Sequence, residues 1–118
     1  MNALLFGAVS GGLAVVFGAF GAHALAERLT DEQLSWWDTG VRYQAWHALA
    51  LLAVGVLGRM GVGTGPSGWL FAGGTLIFSG TLYAMALGGP RWFGAITPIG
   101  GLLLIAGWAT LAWSARGA

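Results

Sequence analysis

Thr39-Gly-Val-Arg-Tyr-Gln-Ala-Trp-His-Ala-Leu-Ala-Leu-Leu52 sets an Arg, a Tyr, a Gln and a His into an otherwise apolar helical stretch. Whether this stretch crosses a bilayer decides the fold, because the runs on either side of it are plainly apolar. Inside hydrocarbon an unsatisfied polar group costs several kcal/mol, so these side chains require partners on neighbouring helices.

The rest of the chain makes the membrane reading. Of 118 residues 57% are hydrophobic, 8% are charged and none is Lys, with a mean hydropathy of +0.76; soluble domains carry roughly 25% charged residues. Uncharged runs extend over Met1 to Ala26, Tyr43 to Gly58, Met60 to Pro90 and Trp92 to Ala115. A spanning helix needs about 20 predominantly apolar residues, so the expected architecture is an all-α, four-helix transmembrane bundle, one integral-membrane domain with spans near 3–25, 40–58, 68–87 and 97–115. The net charge is +1 and the five Arg stand singly. That excludes the clustered basic face of a nucleic-acid binder. The lack of Cys excludes disulfides, thiolate metal sites and Cys nucleophiles.

Ala22-His23-Ala24 imitates a signal-peptide cleavage site, but no Lys or Arg precedes Arg28. The preceding apolar stretch is about 34 Å long as a helix, so it reads as the first span. Its small residues recur four apart, Ala3, Gly7, Gly11 and then Ala14, Gly18, Ala22, the spacing by which membrane helices pack closely. All four acids lie between Glu27 and Asp38. Thr30-Asp-Glu-Gln33 has the form of a capping box, which predicts a helix start near Asp31 with Leu34, Trp37 and Val41 as its apolar stripe. Trp36 and Trp37 suit the headgroup level. The expectation is a short interfacial helix that turns near Asp38 to Gly40 into the second span.

In that span Arg42 is expected to pair with Asp38 one turn earlier and to snorkel. Tyr43, Gln44 and His47 share a face by their spacing, and His47 lies roughly 13 Å beyond Asp38, near mid-bilayer. Arg59 to Ser67, rich in Gly and Pro, reads as a turn, and Gly88-Gly89-Pro90 stops the third span. Trp92 and Phe93 look like interface anchors, and Thr97-Pro98 like a helix start with Thr as the cap. Four spans put His23, Arg42, Tyr43, Gln44, Ser79, Tyr83 and Thr97 in one half of the membrane, with His47 at its deep end. The positive-inside comparison of Arg59, Arg116 and the terminal amine with Arg28, Arg42 and Arg91 nearly balances and leaves the sidedness open.

Two chemistries fit this cluster. One is a hydrogen-bond network that fixes helix register. The other is a polar pocket of His23, Arg42, Tyr43, Gln44, His47, Ser79, Tyr83 and Thr97 that holds a lipid headgroup, a quinone-like molecule or an ion. No catalytic motif is visible: zinc ligands at short spacing are missing, Ser79 has no elbow motif, and Gly61 to Gly65 is not followed by Lys. No acid lies within a span to complete a proton relay. No enzyme activity, metal or cofactor is therefore expected. Membrane lipid, a second copy or a larger membrane protein are the expected partners.

Gly18 to Leu25, Thr39 to Leu51, Phe78 to Tyr83 and Ile96 to Gly101, with Gly107-Trp108, resemble the signature blocks of the YgdD-like small membrane proteins, the domain-of-unknown-function 423 family. The resemblance covers nearly the whole chain in order. It implies a four-span protein of the bacterial inner membrane, multi-pass, without an established activity, substrate or cofactor. His23, Tyr43, Gln44, His47, Tyr83, Thr97 and Pro98 fall on its motif positions, while Trp46 stands where the family pattern has Met or Phe.

Overall fold

The computed structural model describes residues 1–117, which are all helix and connection. Helix α1 spans Ala3–Phe20 and continues as a π-helical turn, Gly21–Leu25. Helix α2 spans Asp31–Arg59, α3 spans Ser67–Ala86, and a 3-10 turn over Arg91–Ala95 leads into α4, Thr97–Ala115. Ala3–Leu25, Ser67–Ala86 and Arg91–Ala115 are each long and apolar enough to cross a membrane.

The helix ends follow from local chemistry. Thr30 Oγ1 accepts from Gln33 N and Gln33 Oε1 accepts from Thr30 N, so the capping box forms as read. Both α2 and α3 close on a glycine in the left-handed region, Gly61 at φ 82° and Gly88 at φ 102°. In each case the following residue donates back into the last turn, Val62 N to Leu57 O and Gly89 N to Ala84 O, which satisfies carbonyls that the helix leaves free. Thr97 is not a cap. Ile96 holds that position, and Thr97 instead turns its hydroxyl to Phe93 O and to Thr81 Oγ1 at 2.6 Å, tying α4 to α3.

The expected break between an interfacial helix and the second span is absent: α2 is one unbroken helix of 29 residues, about 43 Å long. Its Thr39 and Gly40 lie within continuous helix because Gly40 is buried against the Tyr83 ring, where packing outweighs a weak helix propensity.

α2 is the centre of the fold. It packs antiparallel to α1, with Gly7 against the Ala48 carbonyl and Gly55 against Leu4. It also packs antiparallel to α3, with Gly40 against Tyr83 and Val54 near Gly68. α4 lies antiparallel on the far side of α3, with Gly100 on Phe78 and Gly107 on Phe71. The small-residue spacing thus serves contacts within the chain, although Ala22 is exposed. One apolar core gathers around Leu51, Val54, Phe71 and Leu104, and a second around Leu25, Trp37 and Ala86. Trp37 sits in that second core at 4% exposure, packed inside the protein and not on its surface, because Gly21 has no side chain to keep its indole out.

Candidate functional site

The eight polar residues expected to converge do not form one pocket. They separate onto opposite sides of α2 and α3. On the side facing α1, Gln44 is buried; its Nε2 donates to the Ser10 carbonyl at 2.9 Å and its Oε1 accepts from Tyr83 Oη at 2.6 Å. Ser79 Oγ donates to the Gly40 carbonyl at 2.7 Å one turn away. Three helices are therefore joined by side chains that each reach across a helix boundary. Above them Trp37 Nε1 donates to the Phe17 carbonyl at 2.8 Å, just before α1 widens into its π-helical turn, and the Phe17 ring meets the Trp37 and Tyr83 rings edge-on while those two are tilted against each other.

On the other side His47 is buried against α3 and α4. Trp108 Nε1 can only donate, so His47 Nε2 accepts from it at 3.0 Å. That places the ring proton on Nδ1, which donates to the Tyr43 carbonyl one turn back. Both ring nitrogens of a neutral imidazole are thereby occupied. Tyr43 contributes its backbone to this bond, while its ring packs on Phe78 at 4.5 Å between centroids and lies parallel to the imidazole.

The remaining expectations fare differently. His23 is exposed in the π-helical turn and does not reach His47. Arg42 is exposed and does not pair with Asp38; the ion pair that forms joins Glu32 to Arg91 at 2.7 Å, across the acidic end of the molecule. The Arg91 guanidinium also lies 5.4 Å from the Trp36 ring centroid. Thr97 pairs with Thr81, away from both groups. Ser10, Trp37, Thr81 and Trp108 take part, and none of them is among the eight residues expected at the site. Trp108 was visible as a bulky residue on α4, but nothing in an almost uniformly apolar helix marks which way it turns.

One concavity, of about 460 Å³, lies beside His47 and is lined by Trp46, Leu49, Ala50, Ala53 and Trp108; two others adjoin Met1 and Asn2. A groove of about 570 Å³ runs between α1 and α3 over a floor made by α2, with Leu5, Phe6, Val9, Leu13 and Leu76 on its walls and Gln44, Ser79 and Tyr83 at its base. Thr75 also lines it, and Thr75 Oγ1 is a buried oxygen with no hydrogen-bond partner among the described residues. At the opposite end from the acids, a second pocket of about 440 Å³ is lined by Asn2, Leu4, Gly55, Arg59 and Thr64.

Comparison with known proteins gives the family. A family described as "Protein of unknown function (DUF423)" matches residues 17–101. A UPF0382 membrane protein of Staphylococcus haemolyticus is 46% identical over 109 residues, covering 92% of this chain and 89% of its own. The UPF0382 inner membrane protein YgdD of Escherichia coli K12 is 42% identical over 110 residues, covering 92% and 84%. No solved structure matches. The chain belongs to this family of membrane proteins of unknown function, and it is a bacterial inner-membrane protein.

Proposed function

From membership of a family without an assigned activity, we propose that the chain is a non-enzymatic, four-span membrane module. In this reading its intramembrane polar side chains hold the helices in register and do no chemistry. The observation that carries the four spans is the parallel course of α1 and α3. Met1 packs on Gly68 at one end, and Phe17 lies 5.3 Å from Tyr83 at the other. If both of these apolar helices cross the membrane in the same direction, α2, joined to them by short connections, has to return across it. Its length of about 43 Å exceeds a hydrocarbon core of about 30 Å, which leaves Asp31, Glu32 and Asp38 room to stand in the headgroups.

The structural role rests on saturation. Gln44, Tyr83, Ser79 and His47 each spend their hydrogen bonds on a neighbouring helix or on backbone, which leaves no free base, nucleophile or ligand set among them. The reading of these residues as one ligand pocket has less support, since His23, Arg42 and Thr97 lie apart from them. His47→Leu separates the two. The register role expects a lower melting temperature in detergent with the small-molecule content of gently extracted protein unchanged by mass spectrometry. Loss of a co-purifying molecule with the melting temperature intact would overturn it.

A further inference from the structure

We infer that the end of the molecule carrying Arg59 is a seat for an anionic phospholipid, its phosphate in the pocket beside Arg59 and one acyl chain in the groove between α1 and α3. The inference rests on the four-span reading only in placing Arg59 at a membrane surface. The two concavities meet at Met1 and Asn2, which line both. One is apolar and long: from Asn2 to Phe17 the groove follows α1 for about 22 Å, more than the ~15 Å depth of a single leaflet. The other is mixed, and three of its side chains, Asn2, Arg59 and Thr64, can donate to an anion. Asn2 Oδ1 is already used to accept from Leu5 N, which leaves its amide NH2 to donate outward. Thr64 supplies a hydroxyl and Arg59 a planar fork suited to phosphate.

The charges agree. All four Asp and Glu side chains of the sequence lie between Glu27 and Asp38, at the far end of α2 from Arg59. The ion pair found among the described residues also lies there, and Arg116 covers the Trp113 ring at 3.6 Å, so at the opposite end Arg59 is the guanidinium with no ion pair or aromatic partner among the described residues. The size suits a single acyl chain, which lies along a groove of about 570 Å³.

The test uses the full chain in nanodiscs of equal phosphatidylglycerol and phosphatidylcholine, followed by native mass spectrometry of the released protein. The inference expects phosphatidylglycerol to be retained in preference, and Arg59→Gln to lower that preference about fivefold, the weight of one cation at a lipid surface. Arg28→Gln, at the acidic end, leaves it unchanged. Gly80→Leu fills the groove at a position where an added side chain meets nothing of the protein, so the fold tolerates it and retention of both lipids falls. Equal retention of the two lipids by the unaltered chain, an Arg28→Gln effect as large as that of Arg59→Gln, or a lipid-free dimer closed over the groove would each overturn the inference. None of these results touches His47, so the register reading stands or falls separately.

Discussion

On the side of α2 that faces α1, the buried Gln44 links three helices through two short bonds, one to the buried Ser10 carbonyl and one to the half-buried Tyr83; on the side that faces α4, His47 has one bond within its own helix and one to an indole that is 47% exposed. The two residues are separated by less than a turn, yet they do unequal work. A polar group in a membrane contributes to packing only to the extent that its partner belongs to another helix and is itself shielded, because the unfolded chain in lipid also finds partners. The Gln44 side fixes how α1, α2 and α3 sit together. The His47 side adds one bond from α2 to α4, a helix that is held chiefly by its packing and hydroxyl bonds to α3.

The sharpest way to break this contrast is Gly40→Leu. A side chain there meets the Tyr83 ring, with the first added carbon only 2.7 Å from it, and displaces the phenol from Gln44. The expected loss is about 3 kcal/mol, the upper end for overpacking, measured as reversible unfolding in detergent micelles. Gln44→Leu comes next at about 1 to 2 kcal/mol, since it strips the partner from a half-buried phenol and removes the link to Ser10. Trp108→Phe keeps an aromatic ring against Phe71 but deletes the bond to His47, for about 0.6 kcal/mol in the same assay. A loss for Trp108→Phe as large as that for Gln44→Leu would erase the distinction between the two sides. Glu32→Gln is the smallest: the pair with Arg91 is exposed at 78% and 56%, so its removal shifts stability by less than about 0.5 kcal/mol and less still in high salt.

Much of the architecture was legible because apolar run length and capping chemistry are local. Ala3 to Leu25, the Thr30 to Gln33 box and the Gly88 stop all formed where the residues put them. Position along the helix axis was legible too, since rise per residue is fixed and His47 falls near the middle of α2. Direction around the helix axis was not. In a soluble helix the polar face marks the outside, but here lipid and core are both apolar, and the contrast that orients a helix is lost. Gln44 and His47 were therefore read onto one face when they point to different neighbours, and Trp108 could not be chosen as the partner of His47. The same absence hid Trp37, whose amphipathic ring suits an interface equally well. Only its fit against Gly21 and its bond to Phe17 place it inside.

The central claim is that α2 crosses the membrane between two parallel helices, and the chain offers a clean test because it contains no cysteine. Ser35→Cys and Gly63→Cys introduce thiols at exposed positions at opposite ends of α2, and Gly94→Cys does so beyond the end of α3. Labelled in intact cells with a membrane-impermeant maleimide, Ser35→Cys and Gly94→Cys are expected to react from the same side and Gly63→Cys from the other. Labelling of Ser35→Cys and Gly63→Cys from one side would show that α2 does not cross, and would contradict the account.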